Sequence, residues 1–289
     1  MRRGSRPAAR TRTETLPGGG GAPGKLWSGP MTPEPTADFG FRTVPADEKK
    51  TLVRAVFDRV AERYDLMNDL MSGGIHRLWK AALIDWLNPR PGQHLLDVAG
   101  GTGDVAFRFL ERTRPRRPAA GDVPPATRVT VCDINDTMVS VGRDRAIDRG
   151  LLGGIDWVCG DAEALPIASG TVDCYTIAFG LRNVTRIDAA LCEARRVLRP
   201  GGRFLCLEFS RVAVPGLAKP YDLYSFEVLP RLGGWVAGDA EAYRYLAESI
   251  RRFPPQDELA RRLEQAGLAR VKYRNLTGGI AALHSGWRL

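Results

Sequence analysis

The run LLDVAGGTGD, Leu95 to Asp104, carries an apolar strand into three glycines and then an acidic helix start. Gly100, Gly101 and Gly103 let the backbone turn tightly and approach a ligand with no Cβ in the way. Such a turn is the nucleotide side of a Rossmann-like site, yet the spacing is not G-x-G-x-x-G, and Asp97 would repel a pyrophosphate. A cofactor without phosphates, bearing an ammonium or a sulfonium, fits the acid better. Two more acids recur at matching places. Asp133 ends the next apolar run, in CDIN, where a carboxylate can accept hydrogen bonds from ribose hydroxyls. Asp161 follows the third, in GDAEALP (Gly160 to Pro166), where its side chain or the adjacent backbone can hold an adenine amino group. One such Asp alone is most often a helix cap or a turn residue. Three at the ends of successive strands, on the edge where open α/β sheets bind ligands, read as a site.

The elements that must position these acids follow from hydrophobic periodicity. Strands are predicted at His94 to Ala99, Arg128 to Asp133, Ile155 to Cys159, Val172 to Ala178 and Arg203 to Phe209. Helices at Asp104 to Arg112, Asp136 to Arg149 and Ile187 to Leu198 separate them, which is the βαβ rhythm of a doubly wound parallel sheet. Arg112 to Thr127 breaks the rhythm with Pro and Arg and reads as an exposed loop insertion. Upstream, Leu52, Val53, Val56, Phe57 and Val60 share one helical face, and a second helix spans His76 to Leu87 after Gly73 and Gly74. The chain ends with a helix at Gln256 to Ala266 and strands at Arg270 to Asn275 and Gly279 to Trp287.

Composition narrows the class of protein. The formal charge is +9, but residues 1–30 hold six Arg or Lys against Glu14, leaving only +4 on the rest. That is too little to indicate a nucleic-acid partner, although a local basic surface near anionic lipid is compatible with it. Five cysteines, with no CxxC pair, indicate neither a disulfide framework nor a zinc site, and a reducing, cytoplasmic setting is expected. No uncharged apolar stretch approaches the roughly 20 residues a membrane span needs, so any membrane contact is expected to be peripheral, at the inner face. Residues 1–40, rich in Arg, Gly and Pro, predict a disordered tail. The Arg-rich start has the bias of an organellar transit peptide, and a start at Met31 is the other reading.

LLDVAGGTGD, CDIN, GDAEALP and RRVLRPGGRFLCLEFS resemble the successive motifs of class I methyltransferases. The blocks FDRVAERYDLMNDLMSGGIHRLWK (Phe57 to Lys80), FGLRNV (Phe179 to Val184), KPYDLYSFEVLP (Lys219 to Pro230), YRYLAESIRRFP (Tyr243 to Pro254) and GGIAALHSGW (Gly278 to Trp287) are similar to one family within that class. It is the family of ubiquinone/menaquinone biosynthesis C-methyltransferases, and the likeness runs from about Phe41 to the C-terminus. It implies a Rossmann-like α/β fold with a seven-stranded, mostly parallel sheet, helices on both faces and an N-terminal helical cap. The single methyltransferase domain, 41–289, would divide into that cap (41–90), a cofactor-binding core (91–210), a substrate lid (211–254) and a C-terminal helix with strands (255–289).

The resemblance also implies S-adenosyl-L-methionine as cofactor and the ring of a polyprenylated quinol as acceptor, either 2-methoxy-6-polyprenyl-1,4-benzoquinol or demethylmenaquinol. Asp97, Gly101, Thr102, Gly103, Asp133, Asp161, Ala162 and Phe179 are the implied cofactor residues, with no metal. The residue before FGLRN is often Ser in the family and is Ala178 here, so a hydroxyl contact is missing and Ala178 serves as a wall. Methylating a ring carbon needs an electron-rich reduced ring that sheds a phenolic proton. Arg182, Asn183 and Tyr64 are the implied catalytic residues. A guanidinium titrates above about 12, so Arg182 is a poor base but a good stabiliser of a developing phenolate, with Asn183 positioning a water. Tyr221, Tyr224 and Phe226 are expected to wall the ring and its tail, with Trp235 and Tyr243 nearby, and Met67, Met71 and Trp79 adding to the wall. A homodimer, or membership of a quinone-biosynthesis complex, is compatible with the same family. An oxidoreductase would need G-x-G-x-x-G and Tyr-x-x-x-Lys, an amino-group methyltransferase an Asn-Pro-Pro-Tyr type motif, and neither set is present in context. A degenerate scaffold would have lost the acids that are intact here.

Overall fold

A computed structural model describes residues 35–60, 64–114, 126–237 and 239–289; of residues 60, 64–67, 236 and 237 it describes the backbone only. A hairpin opens the described chain, β1 (Thr36–Phe39) against β2 (Arg42–Pro45), turned at Gly40. Residues 36–39, expected to belong to the tail, are a strand instead, and Phe39 stacks on Tyr245 with 4.2 Å between ring centroids. Residues 1–34, and with them the choice of start, lie outside the described residues, as does most of the expected loop insertion. Three helices follow in the segment expected to form the cap: α1 (Ala46–Val60), α2 (Tyr64–Ser72) and α3 (His76–Leu87).

The core then alternates β3 (His94–Val98), α4 (Asp104–Thr113), β4 (Arg128–Asp133), α5 (Asp136–Asp148), β5 (Ile155–Cys159), β6 (Val172–Ala178), α6 (Ile187–Val197) and β7 (Leu198–Phe209). The segment expected to form a substrate lid follows: α7 (Ala218–Leu223), a π-helical turn at Tyr224–Val228, α8 (Leu229–Ala237) and α9 (Ala240–Arg252). Last come α10 (Gln256–Gln265), β8 (Ala269–Leu276) and β9 (Ala281–Trp287). The strands form one seven-stranded sheet in the order β5-β4-β3-β6-β7-β9-β8, in which only β9 runs against the others.

Strand alternation divides the interior into two layers. Leu95, Val129, Val131, Leu205 and Leu207 meet α1, α3, α4 and α9 on one face. Leu96, Val98, Cys132, Tyr175, Ile177 and Cys206 meet α6 and α10 on the other. Burial on both sides is what a central parallel strand requires, and it explains why these runs read as almost wholly apolar. Asp97 belongs to the first face, and it is the polar exception inside β3. The chain leaves β3 toward β4 and β5, then returns to the far side at β6, so the strand order reverses beside β3. A crevice opens past the strand ends at such a reversal.

Candidate active site

Sheet topology brings the ends of β3, β4, β5 and β6 to one cleft. It holds about 770 Å³ of empty space, counted to its open mouth, and Gly101, Asp133, Asp161, Ala162 and Phe179 are among its lining residues. Asp133 Oδ2 accepts from the Gly101 N–H (2.9 Å) and Oδ1 from the Asn135 N–H (2.9 Å), tying the glycine turn to the start of α5. Each oxygen keeps a lone pair for a ligand hydroxyl. Asn135 caps α5 by accepting from the Met138 N–H at 3.0 Å, which fixes the register of that loop.

Two non-glycine residues stand in the left-handed backbone region at the rim, Ala99 (φ 49°) and Phe179 (φ 59°). Such conformations cost on the order of 1–3 kcal/mol each and persist where the surroundings impose them. Here the neighbouring strand ends do so: a Cβ on Gly180 would sit 2.3 Å from the Ala99 Cβ, so only glycine lets these two turns touch. Gly103 (φ 82°) has a different task from the ligand contact expected of it. Its missing Cβ makes room for Trp157, 2.8 Å from where that atom would be, and so it packs α4 against β5.

A smaller recess adjoins the cleft, sharing Ala99 and lined by Lys80, Asp97, Gly100, Thr102, Asp104 and Ala178. Asp97 is 1% exposed. Its Oδ1 accepts from Thr176 Oγ1 at 2.7 Å, while Oδ2 is buried without a partner among the described residues. Lys80 Nζ lies 3.0 Å from Asp104 Oδ2. An orphaned carboxylate oxygen beside a buried ammonium is the complement of an amino-acid zwitterion, so these residues fit the amino-acid end of the expected cofactor. Thr102 Oγ1 accepts from Arg145 at 3.1 Å, and Ala178 is a wall of this recess.

Burial pushes the Asp97 carboxyl up to about 7 and that of Asp133 up to about 6. For Asp97 the folded value lies above the ordinary 3.8, so the stability this group contributes at low pH is lost as pH rises from about 4 to about 7, a loss on the order of 4 kcal/mol. A ligand ammonium beside Oδ2 would restore the charged form and expel the proton. Cofactor affinity is therefore expected to rise with pH between 5.5 and 7, with proton release visible as buffer-dependent heat in calorimetry. Asp97→Asn should remove about one proton from that release. An unchanged proton count in the variant would refute the placement of the ammonium.

Helix α1 roofs the cleft with Lys50, Val53, Arg54 and Phe57, one helical face at i, i+3, i+4 and i+7. Polar contacts latch it down: Lys50 Nζ to Asp161 Oδ2 (2.5 Å), Asp58 Oδ1 accepting from Asn135 Nδ2 (2.8 Å), and Arg54 with Asp136. Sequence reading missed Lys50 and Arg54, although their spacing with Val53 and Phe57 was a visible signal. It also missed Glu163, whose buried carboxylate accepts from the N–H groups of Thr185 (3.1 Å) and Arg186 (3.0 Å) and holds the loop after the 3₁₀ turn Leu181–Asn183.

Asn183 lines the cleft, and its Oδ1 accepts from the Tyr245 hydroxyl at 3.0 Å, which leaves its amide NH₂ to face the ligand space. Arg182 does not line the cleft. Its Nη1 donates to Glu208 Oε1 (2.8 Å) and to the Phe179 carbonyl (2.5 Å), and both charged side chains are 1% exposed. Burial raises the Glu208 carboxyl, and the Arg182 charge opposes the rise. The expectation that Arg182 meets the acceptor openly is thus corrected: a carboxylate 26 residues away draws it under the Phe179 turn. Its Nε remains buried without a partner among the described residues.

The expected substrate wall is also dispersed. Tyr224 donates its hydroxyl to the Leu70 carbonyl, Phe226 stacks on Phe41 (6.1 Å), and Tyr221 lies under the Arg251 guanidinium (5.4 Å), where burial raises its hydroxyl to about 12. None of the three lines the cleft. Tyr243 is core, on the face of α9 that packs against Gly233 of α8, whereas Trp235 is 90% exposed on α8. Met71 and Trp79 are core as well, with Trp79 Nε1 donating to Thr277 at 2.9 Å. Tyr64 begins α2, and its side chain, like that of Met67, lies outside the described residues.

Residues 43–288 match the model of the ubiE/COQ5 methyltransferase family. The chain is 57% identical over 261 residues to the ubiquinone/menaquinone biosynthesis C-methyltransferase UbiE of Paracoccus denitrificans, covering 90% of this chain and all of that protein. It is 53% identical over 274 residues to the mitochondrial 2-methoxy-6-polyprenyl-1,4-benzoquinol methylase of Danio rerio, covering 87% of this chain and 84% of that one. Among solved structures, a SAM-dependent methyltransferase of Thermotoga maritima, a possible histamine N-methyltransferase, superposes with a TM-score of 0.55 at 17% identity, over 81% of this chain and 99% of that one, a likeness of fold.

Proposed function

Because this chain belongs to the ubiE/COQ5 methyltransferase family, we propose that it is an S-adenosylmethionine-dependent C-methyltransferase that methylates the ring of a polyprenylated quinol in ubiquinone/menaquinone biosynthesis. The observation that carries the reading is the buried, unpartnered oxygen of Asp97 next to Lys80, at the foot of a glycine turn held by a second carboxylate. When bound, S-adenosylmethionine supplies an electrophilic methyl group on its sulfonium. Asp97 would hold the ammonium and Lys80 the carboxylate of its amino-acid end. Asp133 would accept from the ribose hydroxyls, and Asp161 with Ala162 would border the adenine.

The acceptor ring would enter beside Asn183 and Phe179. Its carbon is nucleophilic only when a phenolic proton leaves, and Asn183, with Oδ1 committed to Tyr245, has an N–H to hold the phenolic oxygen or the water that takes the proton. Arg182 would act from below. Its charge sits beneath the Phe179–Asn183 turn, and its unsatisfied Nε–H favours negative charge developing above it. The apolar roof of Val53 and Phe57 excludes water and aligns the reacting atoms.

A polyprenyl chain partitions into lipid, so the enzyme should work at a membrane surface. No described helix is long and apolar enough to cross one. The exposed Leu223, Val228 and Trp235 on the lid support a peripheral contact there. The test of function is transfer of labelled methyl to each reduced quinol in turn. Label is expected in 2-methoxy-6-polyprenyl-1,4-benzoquinol, demethylmenaquinol or both, and in neither oxidised quinone. Failure with both quinols, in protein that binds the cofactor, would overturn the acceptor assignment.

A further inference from the structure

A second cleft lies at the other end of the sheet, away from the strand ends that hold the acids. It contains about 660 Å³ of empty space, counted to its open mouth. Trp86 at the end of α3, Arg203 on β7, Trp287 on β9, and Arg270, Lys272 and Arg274 on β8 line it. Lys272 and Arg274 occupy alternate positions of β8 and so project from one face of the strand, while Arg270 (φ 52°) stands where the β8–β9 register shifts between Ala269 and Lys272. No carboxylate is among the lining residues.

The aromatic rings fix the cations. Arg203 lies over Trp287 (4.9 Å) and Trp86 (5.4 Å), and Arg274 over Trp86 (4.3 Å), giving an alternating ladder of guanidinium and indole. Arg203 donates from Nε to Ser285 Oγ (3.0 Å) and from Nη1 to the last carbonyls of α3. Arg270 and Lys272 have no hydrogen bond or ion pair among the described residues, and Arg274 has only its ring contact. Burial lowers the Arg203 guanidinium, and the adjacent Arg274 charge pushes the same way.

Like charges gathered in a concave, carboxylate-free cleft repel one another and are stabilised by an anion. Stacked guanidinium groups keep their edges free for bidentate contacts to tetrahedral oxyanions. We infer that this cleft binds a phosphate-bearing anion, separately from the cofactor and acceptor. Lys272 and Arg274 supply free donors, Arg203 a half-buried charge, and the indoles the rigid frame. The chemistry is shared by a soluble diphosphate and by the headgroup of an anionic phospholipid.

Two indoles in the cleft provide the readout. Inorganic diphosphate titrated into the full chain at low salt is expected to change tryptophan fluorescence saturably, with affinity falling steeply as salt rises. The paired change Lys272→Glu with Arg274→Glu should weaken it at least tenfold while S-adenosylhomocysteine binding and the unfolding temperature stay unchanged. Lys272→Gln alone, at an exposed edge position, should lose about threefold and covers the case in which the double variant fails to fold. Co-sedimentation with phosphatidylglycerol vesicles but not phosphatidylcholine vesicles, competed by diphosphate, would assign the phosphate to lipid. Binding of diphosphate and a nucleoside diphosphate without vesicle binding would assign it to a soluble ligand. Absence of saturable binding to both probes, or equal binding by wild type and the variants, would overturn the inference.

Discussion

Asp133→Ala is expected to weaken cofactor binding by about a hundredfold or more, with the fold retained. Asp133 does two jobs at once. Its two oxygens hold the Gly101 and Asn135 N–H groups at 2.9 Å each, and so join the glycine turn to the α5 start. Hydrogen bonds to a charged group contribute roughly 1.5–3 kcal/mol each, and the ribose contacts would be of the same kind. Removing the carboxylate loses both sets, and leaves two backbone donors at the site without their acceptor. Asp133→Asn separates the roles, since an amide still accepts through one oxygen. It should fall between wild type and Asp133→Ala. The unfolding temperature is a control: Asp133 is already costly to ionise, being pushed up to about 6 by burial, so its loss should affect binding more than stability.

Arg182→Ala should lower turnover by two orders of magnitude or more with little change in cofactor affinity, and it should also destabilise the protein. The two effects have one origin. Removing one partner of a buried ion pair costs about 3–5 kcal/mol, because the other charge remains buried and uncompensated. Here that charge is Glu208, whose Oε2 also accepts from the Arg182 N–H at 3.3 Å. Part of the cost is relieved by protonation of Glu208, which burial already favours. A drop of several degrees or more in unfolding temperature is expected. Stability and chemistry are distinguished by Arg182→Lys, which keeps a charge for Glu208 but loses the fork to the Phe179 carbonyl. It should recover much of the melting temperature and little of the turnover. Full activity in a folded Arg182→Ala protein would show that the buried cation has no part in the reaction.

Most of the fold was legible because strands covered on both faces are written as apolar runs, and β4 and β6 begin and end where those runs do. The acids at the strand ends were legible for the same reason: once a strand end is placed, the residue there must face the crevice. What could not be read were contacts between residues far apart in the chain. Lys50 reaches Asp161 across 111 positions, Tyr245 reaches Asn183 across 62, and neither pair leaves a periodic trace. Arg182 illustrates the limit. Its position after β6 was correct, but the direction of its side chain was set by Glu208 on the neighbouring strand. The aromatic stretch from Tyr221 to Tyr245 shows the same thing at larger scale. Density announced a packed region, while only helix orientation decided that Tyr243 turns inward and Trp235 outward. The β1–β2 hairpin escaped notice because four-residue strands next to a Gly- and Pro-rich segment carry too few apolar positions to show a period.

The central physical claim is that carboxylates at adjoining strand ends hold a cationic nucleoside in this chain's own cleft. Calorimetric titration of S-adenosylhomocysteine into wild type and Asp133→Ala tests it most directly. One equivalent bound by wild type, with at least a hundredfold loss in the folded variant, is the predicted result. No heat in the wild type, or the same isotherm in both proteins, would contradict it.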